Sequence, residues 1–170
     1  MEQEAQFSVG EWVVHNQYGV GQIKKTEVMP LHGKQTECFR VQVRDGNFWF
    51  PTNSTENPRI RPVASLEIIT KVIKNLRRKP GHLEEDKNYW KNQIQAVSSD
   101  GDLLSISQLI RDLSAQQARK RLNDTQVRAL SNFTERLLHE WSAITGTDIK
   151  KIRPEFNSYI QESNAKITNE

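Results

Sequence analysis

The sequence is poor in several things, and each shortage removes a class of protein. It holds one cysteine, Cys38, so no intrachain disulfide can form and no CxxC pair offers a zinc site. Hydrophobic residues make up 35% of the chain, mean hydropathy is −0.73, and no apolar run approaches the roughly 18–20 residues that span a bilayer. The opening, Met1-Glu2-Gln3-Glu4-Ala5, lacks the basic start and apolar centre of a secretory signal. A cytoplasmic protein without membrane contact is expected. There is no Gly-rich phosphate loop, and no two of His15, His32, His82 and His139 stand four apart. Glu84-Glu85-Asp86 reads as helix N-terminal charge rather than an acid–base or metal cluster. Cys38 sits in an alternating strand with no base in view. The expectation is a non-enzyme with no cofactor and no metal.

What is present divides into two halves. Residues 1–63 carry seven basic and seven acidic groups, whereas the remaining 107 carry 17 basic and 14 acidic. The whole net charge of +3 therefore lies in the second half. Lys71, Lys74, Arg77, Arg78, Lys79, Lys87 and Lys91 face only Glu84, Glu85 and Asp86 there, a pattern that suits either a phosphate-facing patch or a solvated helix face.

From Phe7 to Val63 the pattern is that of strands. Trp12-Val13-Val14-His15 is β-prone, and the Gly19-Val20-Gly21 turn leads into Gln22-Ile23-Lys24. Thr26 to Met29 leads to a His32-Gly33-Lys34 turn, and alternation then puts Phe39, Val41 and Val43 on one face. Asp45-Gly46 is a hairpin signal, with Asn47-Phe48-Trp49-Phe50 returning and Pro51 stopping the strand. About five short strands in so short a stretch predict a small, bent antiparallel barrel of SH3 or Tudor type. Pro51 to Pro62 reads as a polar connector.

After Ser65 the apolar period becomes helical. Leu66, Ile69, Ile73 and Leu76 mark one helix ended by Pro80-Gly81, and a second is expected over about 84–97. A third spans about Leu103 to Arg119, with Leu103, Ile106, Leu109, Ile110 and Leu113 as its stripe. Asn123 or Asp124 caps a fourth whose buried face is Val127, Leu130, Phe133, Leu137, Leu138 and Trp141, ended by Gly146. A short fifth follows from Asp148, interrupted or restarted at Pro154. The predicted fold class is thus α+β: a β-barrel domain over 7–63 and an all-α bundle of about five helices over 64–162, with 1–6 and 163–170 disordered.

These residues resemble a known family. Phe7-x-Val9-Gly10-x-x-Val13-Val14 with Gly19-Val20-Gly21 is similar to the opening of the CarD/CdnL family and of the RNA-polymerase-interacting domain of transcription–repair coupling factors. Arg59-Ile60-Arg61-Pro62-Val63 resembles that domain's end. Gly101-Asp102-Leu103 with Ile110-Arg111-Asp112-Leu113 resembles the family's "GD…VVRDL" helix, and the Gln126-to-Leu138 helix stands where its next helix does. The resemblance covers about residues 7–145 and keeps the family's order and spacing.

The resemblance implies a bacterial transcription regulator whose barrel docks on the RNA polymerase β subunit through an exposed strand. Here that surface is Arg40, Asn47, Phe48, Trp49 and Phe50, with Trp49 where family members carry a basic residue. Alternation alone places Phe48 and Phe50 in the barrel core and leaves Trp49 to an interface or to the domain junction. The helical domain is implied to grip the upstream edge of the promoter bubble, largely independent of sequence, through phosphate contacts and a Trp wedge. The candidate DNA-contacting residues are Arg77, Arg78, Lys79, Lys87, Tyr89, Trp90 and Lys91. Asp86 occupies the family's wedge position, so either Tyr89 or Trp90 takes that role in a shifted register or this chain binds DNA weakly; the alternative for Trp90 is burial against Ile94. Arg111 and Asp112 read as a structural pair, and Arg119-Lys120-Arg121 as a second basic patch or an exposed helix end. A monomer is expected. The competing expectation is a polymerase-binding adaptor whose helical domain recruits another protein rather than DNA.

Overall fold

The computed structural model describes residues 7–53, 59–83, 85–100 and 102–167. The chain divides between Val63 and Ala64 into two compact units, and each has its own apolar core.

In the first unit, β1 (Trp12–His15), β2 (Gly19–Leu31), β3 (Lys34–Val43), β4 (Gly46–Pro51) and β5 (Ile60–Pro62) form one antiparallel sheet in the order β4-β3-β2-β1-β5. Strand β2 runs unbroken through Lys25, where the sequence reads as two pieces. A register shift between Ile23 and Lys25 accommodates the bend within one strand. Strands from both ends of the sheet supply the same core: Phe50 of β4 and Ile60 of β5 join Phe7, Val13, Ile23, Phe39 and Val41 in one cluster. This is the small bent β-fold that the strand spacing predicts. Strand β5 lies inside the stretch expected to be connector; residues 54–58 of that stretch are outside the described residues. Ile60, Arg61 and Pro62 pair with His15, Val14 and Val13.

The turns follow from backbone freedom. His32 and Gly33 have φ of 50° and 79° and join β2 to β3 as a two-residue turn. At the next hairpin the two loop residues are Arg44 and Asp45, because Val43 pairs with Gly46. Gly21 is needed for a different reason. A Cβ there would stand 2.6 Å from Val41 Cγ1 and 2.9 Å from the Gln42 carbonyl oxygen, so β3 crosses too close for any side chain. At the end of β1, His15 is buried and its Nδ1 accepts hydrogen bonds from the amides of Gln17 (3.0 Å) and Tyr18 (3.2 Å). An imidazole accepting at Nδ1 must be neutral, and burial, with the nearby charge of Arg59, lowers its pKa below the ordinary 6.5.

The second unit is α1 (Leu66–Arg77), α2 (Lys87–Asp100), α3 (Leu103–Arg119), α4 (Asp124–Thr145) and α5 (Ile149–Ala165) around one core. Several boundaries differ from expectation for local reasons. Helix α1 stops at Arg77, three residues before Pro80, and Arg78 is already extended. Helix α2 begins at Lys87 rather than 84, because Asp86 is its cap: Oδ1 accepts from the amides of Asn88 (3.0 Å) and Tyr89 (2.9 Å). Asp102 caps α3 and Asn123 forms a capping box with Gln126 on α4. Gly146 closes α4 in the left-handed region.

On α4, Val127 is exposed and Leu130 half-buried, while Gln126, Ala129 and Glu140 turn inward. Glu140 accepts the amide of Ala64 at 3.0 Å, tying the start of the unit to its centre. Helix α5 passes through Pro154 without a break. The proline is exposed, and so is Lys150, whose carbonyl loses its helical donor and can turn to water. The helix also continues to Ala165, beyond the expected limit at 162, and buried Ser163 donates to the Arg78 carbonyl at 2.5 Å. Arg111 and Asp112 are both buried and joined at 2.8 Å, with Asp112 also accepting the Gly81 amide and Arg111 donating to the Asn75 carbonyl. They are a structural pair.

Two stability outcomes follow. Gly21→Ala should destabilise the first unit by about 1–3 kcal/mol, the usual penalty of overpacking, in denaturant unfolding followed by a probe in that unit. Because His15 is harder to protonate folded than unfolded, its contribution is complete above 6.5 and is lost as pH falls through its lower folded value. Thermal melts from pH 8 to 5 should show that acid loss in the wild type and a flatter profile in His15→Gln; identical slopes would contradict it.

Candidate functional site

Sheet order makes β4 a terminal strand. It pairs with β3 through Cys38↔Pro51, Phe39↔Phe50, Arg40↔Trp49, Val41↔Phe48, Gln42↔Asn47 and Val43↔Gly46. No strand lies on its other side among the described residues. The opposite terminal strand, β5, is only three residues long and ends in proline, so β4 is the longer open edge. A terminal strand has main-chain N–H and C=O groups directed away from the sheet, ready to pair with an incoming strand.

Alternation along β4 sorts the expected docking residues. Phe50 is buried in the core and packs against Phe39 (5.3 Å between centroids) and edge-on against Phe7 (5.8 Å). Its side chain is thus withheld from any partner, and it can offer only main chain. Phe48 is half-buried and lies with His15 and Tyr18 in a ring cluster at 5.0 and 5.5 Å. Trp49 points the other way and is 41% exposed. Its Nε1–H donates to Glu27 Oε2 at 2.9 Å. Arg40, the cross-strand neighbour of Trp49, has its Nη1 3.9 Å from Glu27 Oε1, and Lys25 Nζ lies 2.5 Å from the same oxygen. The hydrogen bonds from Lys25 and Trp49 hold the Glu27 carboxyl below its usual range. Asn47 is exposed. Glu27 was not among the residues expected from sequence; it lies 22 residues from Trp49, and only the β2–β3–β4 register brings the two together.

The candidate DNA-contacting residues divide sharply. Trp90 is 2% exposed and among the largest fully buried side chains, in the same core cluster as Leu109 and Leu113. A ring so placed is core and not a wedge, and its Nε1 has no partner among the described residues. Tyr89 is half-buried, stacked on His82 (5.1 Å) and edge-on to Trp90 (5.2 Å); burial foremost, then Asp112 and Glu85, raises its pKa. Arg77 is held by Glu162 through two hydrogen bonds of 2.8 and 3.2 Å and lies 5.7 Å over the Tyr159 ring. Lys166 also reaches the Arg77 carbonyl. That guanidinium, too, is engaged within its own unit. Arg78, Lys79, Lys87 and Lys91 are exposed. Between α2 and α3 is a cleft of about 200 Å³ that includes Tyr89, Gln93, Gln108 and Asp112 in its walls.

Among the described residues no three His, Cys, Asp or Glu side chains gather to hold a metal ion, and no helix is long and apolar enough to cross a membrane. Cys38 is buried, and burial raises its pKa.

Comparison with known proteins agrees with this geometry. Over 154 residues, 86% of this chain and 97% of the other, the sequence is 24% identical to the protein named "Putative transcription factor YdeB" of Bacillus subtilis (strain 168). Residues 7–72 match the family described as the CarD-like/TRCF RID domain, which takes in the whole five-stranded sheet and the start of α1. The N-terminal unit is thus similar to the CarD-like/TRCF RID domain, and the chain resembles, along most of its length, a protein named as a putative transcription factor.

Proposed function

We propose that this chain is a bacterial transcription regulator that docks on the β subunit of RNA polymerase by adding a polymerase strand to the open edge of β4. The observation that carries the reading is the position of β4 at the end of the sheet of a CarD-like/TRCF RID domain, with Trp49 exposed on its outer face. Main-chain pairing along such an edge supplies affinity, and the side chains of one face supply selectivity. Arg40 and Asn47 flank the aromatic anchor, Phe48 and Phe50 fix the strand from beneath, and a large aromatic residue is a common interface hot spot.

In this reading the helical unit contacts DNA at the upstream edge of the promoter bubble and modulates the stability of the open complex. Arg78, Lys79, Lys87 and Lys91 are exposed candidates for phosphate contact, and Tyr89, between Lys87 and Lys91 in the sequence, is a half-buried aromatic group. Sequence-independent phosphate contact would rest on these local cations, since the net charge of +3 is mild and by itself favours the second reading below. The protein works as a cytoplasmic monomer with no cofactor and performs no reaction. A second reading, in which the helical unit recruits another protein, is favoured by two observations: Trp90 is buried in the core, and Arg77 is engaged by Glu162.

Two experiments decide these points. Trp49→Glu should weaken binding to purified core RNA polymerase by roughly thirtyfold, about 2 kcal/mol, without lowering the melting temperature. Unchanged affinity would remove the docking role from β4. For the helical unit, binding to fork-junction DNA should fall steeply with salt. Lys87→Glu with Lys91→Glu should reduce the logarithmic salt slope by about 2 and leave polymerase binding intact. No retention of fork DNA even at low salt, with polymerase binding preserved, would favour the adaptor.

A further inference from the structure

Trp49 is an exposed ring on an edge strand, yet it is tied down. Its single polar atom, Nε1, is bonded to Glu27 Oε2 at 2.9 Å. The same carboxylate is held by Lys25 from β2 and approached by Arg40 from β3, so three strands converge on one side chain. Each partner has a separate effect. The indole N–H no longer seeks water or a partner's acceptor, so the exposed part of the ring is chiefly its carbon surface. The rotamer of Trp49 is fixed before any encounter, which removes part of the ordering cost of binding. Lys25 and Arg40 share one compensating negative charge beside the ring, so this face does not present two bare cations to an incoming strand.

We infer that Glu27 is the positioning residue for Trp49 in docking, and that the ring it holds selects an apolar side chain on the partner strand. The inference rests on the proposed docking at β4. A strand added to that edge places one residue directly opposite Trp49 on the same face, within ~4.5–5.5 Å between Cβ atoms. Against an indole whose polar edge is already satisfied, an apolar or aromatic side chain gains contact, whereas an acidic one meets a carboxylate and loses its hydration. The Glu27 carboxyl, kept below its usual range by Lys25 and Trp49, stays ionised near neutrality.

The test uses the full-length chain, purified core RNA polymerase and three substitutions. Glu27→Ala removes the acceptor, Glu27→Gln keeps an acceptor oxygen without the charge, and Trp49→Ala removes the ring. Glu27→Ala should weaken polymerase binding roughly tenfold, and Glu27→Gln should stay within about threefold of wild type. The indole N–H resonance of Trp49 in a nitrogen-labelled sample, identified by its loss in Trp49→Ala, should move and broaden in Glu27→Ala and hold its place in Glu27→Gln. Melting temperatures within a few degrees show that the fold is intact. Wild-type affinity in Glu27→Ala while Trp49→Ala binds poorly overturns the positioning role and leaves docking at β4 standing. Equal losses in Glu27→Ala and Glu27→Gln overturn it as well, since charge and not the hydrogen bond would then matter. Should Trp49→Ala bind as tightly as wild type, the docking reading itself fails, and this inference with it.

Discussion

A strand at the end of a sheet leaves half of its main-chain donors and acceptors without a partner in that sheet, and natural proteins seldom leave a long one bare. In this chain the two ends are treated differently. The β5 end is short, carries Arg61 and stops at Pro62. The β4 end is six residues long, has no cover among the described residues, and shows an indole on its outer face. The proposed docking follows from that asymmetry. The inner face of the sheet anchors β4 by Phe48 and Phe50, the outer face orders Trp49 through Glu27, and the edge itself has no neighbouring strand among the described residues.

The helical unit is built on different terms. Its core is apolar and continuous, but much of its definition comes from polar ties: Asp86, Asp102, Asn123 and Asp148 cap helices, Glu140 receives the Ala64 amide, and the Arg111–Asp112 pair binds the Gly81 amide and the Asn75 carbonyl. A buried ion pair is weak ground for net stability, yet removing one partner of it is costly. The end of α5 closes on the end of α1 through Glu162, Ser163 and Lys166. This closing has a consequence for the surface, because Arg77, one of the candidate phosphate contacts, is engaged by Glu162 and lies over the Tyr159 ring. The exposed pair Arg78 and Lys79 and the pair Lys87 and Lys91 remain outward.

Much of the fold was legible because it depends on local chemistry. The hairpin announced by Asp45-Gly46 (its loop residues are Arg44 and Asp45), the alternation through Phe39 and Val41, the cap at Asn123 and the stop at Gly146 are all set by neighbours within a few residues. What escaped was set by partners far along the chain. Strand β5 has three residues and no apolar pattern of its own; β1 makes it a strand. Arg77 meets a carboxylate 85 residues away and Trp49 one 22 residues away. Trp90 is buried, one of the two places that the sequence left open for it; the helix boundary ahead of it was less legible, because Asp86 is the cap and α2 starts at Lys87. Matching the family's Trp by position pointed to Asp86, and the structure gives that aspartate a complete role as a helix cap.

If a strand of RNA polymerase completes the open edge of β4, as proposed, amide hydrogen exchange reads that edge directly. Exchange along Gly46–Phe50 should slow markedly when core RNA polymerase is added in excess, while the paired residues at the β1–β2 hairpin change little. Exchange on β4 that is as fast with polymerase as without it, under conditions where the complex forms, would contradict the account.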